Sequence, residues 1–253
     1  MSIVSSTERI PWLLPQRSPL MAQTWHDLLF VHWPVPAEVL LPSLPPGVQL
    51  DLFEGQAWLG IVAFRLTGVR LLAFPELPFV SYFPEVNVRT YVRVGDRPGV
   101  YFLSLDTDNR PAVALARAWF RLLYHHAHME MKSCGSRISL KSRRDEHKSP
   151  PAEFEVTYSP YAPPHIASPC SLDCWLTERY RYYSTDRNGR LCHCDIHHTV
   201  WPLQPAEAYI RRNTMALCHG ITLPAGEPLL HYARRMQALI WPVELERSIC
   251  AVA

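Results

Sequence analysis

Proline punctuates this chain throughout: 24 of its 253 residues are proline, against only 10 glycines. A proline removes a backbone donor, breaks a helix interior and is excluded from central ladder positions of a sheet. A helical bundle is therefore a poor fit, and strands joined by stiff loops are a good one. Strand-like runs do dominate between the prolines. Gln23 to Trp33 (QTWHDLLFVHW) and Ala57 to Leu66 (AWLGIVAFRL) are rich in aromatic and branched residues, Val80 to Val94 alternates in its second half, and Val100 to Leu105 ends at the turn-forming DTDN.

Three short helices are expected among these strands. One opens at Pro36 and is stopped by Pro45-Pro46, and a second is capped by Asp108 or Asn109 with Pro111 in its first turn. A third runs from Pro205 through AEAYIRRNTMAL toward Gly220. The basic run Lys141-Ser-Arg-Arg, followed by acidic residues and Pro150-Pro151, reads as a solvated charged hairpin or loop over about 133–151. Strand-like segments continue on both sides of it, so the expectation is one domain over 1–253.

Charge and hydropathy exclude several classes. A formal net charge of +2 gives no concentrated basic face, so no nucleic-acid partner is expected. Hydrophobic residues make up 48%, enough for a sizeable core, yet no segment reaches the roughly 18 apolar residues of a membrane span. The N-terminus lacks the pattern of a signal peptide. With no export signal, the seven cysteines are expected as reduced thiols of a cytoplasmic protein.

Three stretches concentrate reactive side chains. In YFPEVNVRTYV, residues 82–92, Glu85, Asn87, Arg89 and Tyr91 share one strand face while Val86, Val88, Thr90 and Val92 share the other. A polar face toward water would explain this, and so would a closed sheet whose polar face lines a ligand cavity. In the second case arginine suits a carboxylate and glutamate suits proton exchange. In LYHHAHMEMK, residues 123–132, Tyr124, His126, His128, Glu130 and Lys132 alternate with His125, Ala127, Met129 and Met131, as on an edge strand with a solvated polar face.

The third stretch, LCHCDIHHTVWPL at 191–203, reads as a strand with Cys192, Cys194, Ile196 and His198 on one side and His193, Asp195 and His197 on the other. Successive same-face cysteines on one strand do not form a comfortable disulfide. Buried small hydrophobes account for the cysteine face. A zinc site would need ligands from elsewhere, such as Cys170 and Cys174.

FVHWPVP at 30–36, FPEVNVRTYV at 83–92, VYFLSLDTD with the following ARAWF, and IHHTVWPLQPAEA at 196–208 together resemble the YqjF-like family. This is a family of uncharacterised conserved proteins in the acetoacetate decarboxylase-like superfamily. The resemblance runs from about Trp25 to Trp241. It implies a mainly β (α+β) fold, an antiparallel cone or barrel with a few short helices around a central cavity. It carries His197 and His198 but not Cys192 and Cys194. Acetoacetate decarboxylases place a lysine pair, the first forming a Schiff base, after a motif beginning with arginine. Counted from Arg117, that pair is replaced here by Tyr124 and His125. An imine needs a primary amine, and neither residue supplies one.

The functional expectation is a small-molecule ligand in the cavity, with no cofactor and no metal. One form is an enzyme acting on a small oxo-acid or related metabolite without a lysine Schiff base. Glu85 would then carry the proton, Tyr124 and His125 would polarise a carbonyl, and Asn87, Arg89, Arg117, His197 and His198 would bind substrate. The alternative is a non-catalytic ligand-binding or sensing protein using the same cavity, and a metalloprotein built on His193, His197 and the cysteines is a third class. Self-association into a homo-oligomer stays open.

Overall fold

The computed structural model describes residues 15–72, 74–76, 79–144 and 149–246. The extreme N-terminus and the acidic end of the charged segment, with Lys148, lie outside the described residues. Fourteen strands are described: β1 (Met21–Val35), β2 (Gln49–Leu50), β3 (Ala57–Leu71), β4 (Tyr82–Val94), β5 (Arg97–Thr107), β6 (Tyr124–Cys134), β7 (Arg137–Arg144), β8 (Ala152–Pro160), β9 (His165–Ile166), β10 (Arg181–Thr185), β11 (Leu191–His198), β12 (Pro202–Asn213), β13 (Leu229–Ile240) and β14 (Glu244–Leu245). Three short α-helices accompany them: α1 (Ala37–Leu40), α2 (Arg110–Leu115) and α3 (Leu172–Thr177). Pairing is antiparallel except at β5, which runs parallel to both β6 and β10.

Two rings close within this sheet. Strands β13, β1, β3, β4 and β5 pair side by side as a shared wall. On one side β10 and β11 link β5 back to β13, completing a seven-stranded barrel. On the other, β6, β7, β8 and β12 make the same link and complete a nine-stranded one. Closure removes the open edges that would otherwise pair with other chains.

Because successive side chains point to opposite faces of a strand, each wall strand feeds both barrels. On β4, Val86, Val88 and Val92 enter the nine-stranded barrel and pack with Leu29, Ile61, Leu140 and Phe154. Phe83 and Tyr91 enter the seven-stranded barrel with Phe30, Val62 and Phe64. The alternation read in the sequence is thus a division of one strand between two interiors.

The first two expected helices form. The turn after Pro36 continues as a 3-10 turn to Ser43, and the Asn109 side chain caps α2 by accepting from the Ala112 N–H at 2.8 Å. The helix expected from Pro205 does not form: that segment is β12, paired with β8, with Ala206 buried while Glu207 and Tyr209 face out. The residues there suit a helix individually, but the ladder with β8 decides. A 3-10 turn at Leu217–His219 before Gly220 is what remains of the helical signal.

The charged segment expected as a solvated hairpin or loop over about 133–151 forms the hairpin of β6 and β7, but one face of β7 is buried, not solvated. Residues 137–144 are β7, with Ile138, Leu140, Ser142 and Arg144 buried and Lys141 exposed. Arg144 grips Asp106 through Nε and Nη2 at 2.6–3.1 Å, and Nη2 also donates to Ser104 Oγ at 3.0 Å. Both charges lie inside the nine-stranded barrel, where an unpaired ion would be strongly unfavourable. Likewise β6 is not an edge, since β5 and β7 flank it, although its outer half does expose Glu130 and Lys132.

Candidate functional site

The nine-stranded barrel is filled with side chains, whereas the seven-stranded one holds a cavity of about 140 Å³. That is close to the roughly 150 Å³ that accommodates a benzene ring in an engineered protein void. Most of its wall is apolar and aromatic, including Trp25, Phe30, Phe64, Phe102 and Trp201. Trp25 and Trp201 stack with centroids 6.0 Å apart, and Phe30 meets Trp201 edge-on at 5.1 Å. These rings fix one another, so the wall keeps its shape.

Polar groups enter at two places along β4. At one end Glu85 is buried, and the two carboxylate oxygens have separate donors. The Tyr124 hydroxyl donates to Oε2, and Asn87 Nδ2 donates to Oε1 at 3.1 Å. Burial pushes the Glu85 carboxyl up to about 7, against the opposing pull of these two hydrogen bonds. The Asp106 charge, across the wall in the other barrel, adds a further upward push. Burial and the neighbouring glutamate hold Tyr124 well above the usual tyrosine range, so it stays a neutral donor.

At the other end lie Arg89 and Arg179; Arg181, the third arginine of the lining, is paired with Asp195 at 2.7 Å. Arg89 Nη2 donates to Leu176 O at 3.3 Å and Tyr91 Oη at 3.4 Å, and its guanidinium lies 5.6 Å from the Phe30 ring. No carboxylate lies within ion-pair distance of Arg89 among the described residues. Arg179, which follows α3, stacks on Trp175 at 4.2 Å and on Tyr91 at 5.0 Å, and pairs with Asp51 at 2.6 Å. Behind them Tyr91 Oη sits 2.7 Å from His32 Nε2. Both rings pack directly on Gly60, where a Cβ would stand 3.0 Å from the His32 ring and 3.3 Å from Tyr91 Oη.

Of the residues singled out in the sequence, Glu85, Asn87, Arg89, Tyr124 and His198 line this cavity. His198 is buried and stacked on Tyr180 at 4.6 Å, with Nδ1 2.8 Å from Thr199 O; burial lowers its pKa, so it is a neutral wall residue. Three others do not reach the cavity. His197 alternates with Ile196 and His198 and so faces the other side of β11. His125 takes the face of Asp106, with Nδ1 2.9 Å from Ser149 Oγ. Arg117 donates from Nε to Tyr124 O at 2.7 Å, outside the barrel. Arg179 also lines the cavity, from an irregular segment that no periodicity marks in the sequence.

No lysine lines the cavity among the described residues: Lys132 is exposed and ion-paired with Glu130, and Lys141 is exposed on β7. Cys192 and Cys194 are fully buried and unbridged. No group of three or more potential metal ligands gathers among the described residues. No helix there is long and apolar enough to cross a membrane.

A closed barrel with an interior cavity of this topology is the acetoacetate decarboxylase-like fold. Acetoacetate decarboxylase from Legionella pneumophila superposes with a TM-score of 0.64 at 12% identity, covering 98% of this chain and 95% of that one. The enduracididine biosynthesis enzyme MppR, complexed with pyruvate, superposes at 0.62 and 12% identity, covering 94% and 93%. Residues 22–237 match the family described as "Uncharacterized conserved protein". YqjF of Bacillus subtilis (strain 168) is 47% identical over 224 residues, 88% of this chain and 91% of its own length. The chain belongs to the YqjF-like family.

Proposed function

We propose that this protein binds a small carboxylated ketone in the seven-stranded barrel and exchanges a proton at the carbon beside the carbonyl. The carrying observation is a buried Glu85, oriented by Tyr124 and Asn87, in a cavity that also presents Arg89 without a carboxylate partner. Glu85 near its own pKa at neutral pH can take up and return a proton. The C–H electron pair moves into an enolate as the proton leaves. Tyr124 and Asn87 are the neutral donors beside it, and Arg89 holds the carboxylate. No imine is involved, in keeping with a wall that holds no lysine among the described residues. A reduced, cytoplasmic setting and a small-molecule rather than nucleic-acid partner accord with the free cysteines and the near-neutral charge.

The test is exchange of ketone α-protons in D2O, followed by NMR, over a panel of carboxylated ketones. Catalysed exchange is expected to rise through neutral pH as Glu85 ionises and to fall about 100-fold or more in Glu85→Gln. The engagement of both Glu85 oxygens favours one second reading, a binding or sensing protein. Saturable binding with no exchange for any ketone would establish that reading instead.

A further inference from the structure

The polar groups of the cavity do not form one cluster. Glu85 and Arg89 are four residues apart on β4, so their Cα atoms are separated by roughly 13 Å at about 3.3 Å per residue. Their side chains also turn apart. Glu85 is held by Tyr124 and Asn87, whereas among the described residues the side-chain hydrogen bonds and ring contacts of Arg89 are with Phe30, Tyr91 and Leu176. A three-carbon oxo-acid cannot touch both poles at once.

The arginine pole carries its own sign of an unmet ligand. Arg89 Nε and Arg179 Nη2 are buried and meet no acceptor among the described residues. Both guanidinium groups lie within 6 Å of the Tyr91 ring, at 5.6 and 5.0 Å, and Asp51 offsets only one of the two charges. Two unmet donors on stacked cations, in a low-dielectric wall, match a carboxylate. Between the poles the wall is aromatic, and the whole cavity, poles included, measures about 140 Å³.

Resting on the reading of Glu85 as the proton carrier, we infer that the substrate carries its carboxylate and its reacting carbonyl at opposite ends of a flat apolar body. The carboxylate lies on Arg89 and Arg179, the body against Phe30, Phe64 and Trp201, and the carbonyl beside Glu85 and Tyr124. Glu85 takes a proton from the carbon next to that carbonyl, the C–H pair becomes the enolate, and the same carboxyl returns a proton. No oxidant or reductant enters.

The probe is 4-acetylbenzoate, compared with pyruvate and with acetophenone, which has the body but not the anion. Binding is read by tryptophan fluorescence and ligand NMR, and deuterium incorporation is read at the acetyl methyl. The expected result is 4-acetylbenzoate binding about tenfold or more tighter than either comparator. Arg89→Met should remove that advantage and Arg89→Lys should restore part of it, each variant first shown folded by its circular dichroism. Pyruvate binding as tightly as 4-acetylbenzoate overturns the inference, as does acetophenone binding as tightly or an unchanged affinity in folded Arg89→Met. Exchange into pyruvate but not into 4-acetylbenzoate also overturns it and leaves the proton-exchange reading standing. The expected binding pattern without exchange does the reverse: the ligand assignment holds and the enzymatic reading fails.

Discussion

The two barrels share five strands and yet solve opposite problems. The nine-stranded barrel receives Val86, Val88 and Val92 from β4 and is close-packed, and in it the buried Arg144 is paired with the buried Asp106. The seven-stranded barrel receives Glu85, Asn87 and Arg89 from the same strand and keeps a void, with guanidinium donors unmet. One interior is close-packed, and the other keeps a void with buried polar groups on its wall. Stability should therefore reside in the first and sensitivity to pH and ligand in the second.

The largest effect that would test this division is Arg144→Met. It removes the guanidinium that donates to the buried Asp106 carboxylate in the filled barrel, which should cost about 3–5 kcal/mol in urea unfolding. A loss under about 1 kcal/mol would mean that this interior is not closed to water.

Next in size is the pH dependence contributed by Glu85. The folded-state pKa, about 7, lies above the ordinary value of 4.5, so burial favours the protonated form. Its contribution is fully favourable below about pH 4.5 and is lost as pH rises through 7, amounting to roughly 3 kcal/mol. Glu85→Gln should remove that slope, so the variant gains on the parent protein between pH 5 and 8 in thermal or urea unfolding. An unchanged pH slope would show that Glu85 is solvated like a surface carboxylate.

The smallest expected effect is the difference between two matched substitutions on β3. Leu59 points into the filled barrel and Leu66 lines the cavity, and both are buried. Leu59→Ala should cost about 3–4 kcal/mol, because a new void opens in a close-packed interior. Leu66→Ala should cost about 1–2 kcal/mol less, since one side of that leucine already faces open space. Equal losses would erase the contrast between the two interiors.

What the sequence discloses follows the same division. The alternation of β4 and the cap at Asn109 are local, and both are visible from residue spacing alone. The assignments that fail depend on partners distant in sequence. Arg144 looks solvated among Lys141 and Arg143, but the alternation Ile138, Leu140, Ser142, Arg144 carries it inward to Asp106. Counting from Arg117 along the resemblance places Tyr124 and His125 side by side at the site. In the fold, residues 116–120 form a π-helical turn ending at Arg121 with φ of 55°, so Tyr124 enters the cavity and its neighbours do not. Residues 205–213 compose well as a helix, and the ladder to β8 overrides that preference. Arg179 has no periodic context at all; Asp51 and Trp175 place it.

The shared wall also sets how this chain can change over generations. Substitutions at single positions of β1, β3, β4 or β5 alter one interior and leave the other intact, so the reactive barrel can diversify while the packed one is conserved in character. Gain or loss of a single residue within a wall strand is a different event. It exchanges the two faces downstream, sending Glu85, Asn87 and Arg89 among the valines and the valines into the cavity. Length variation is therefore expected in the turns between wall strands and not within them.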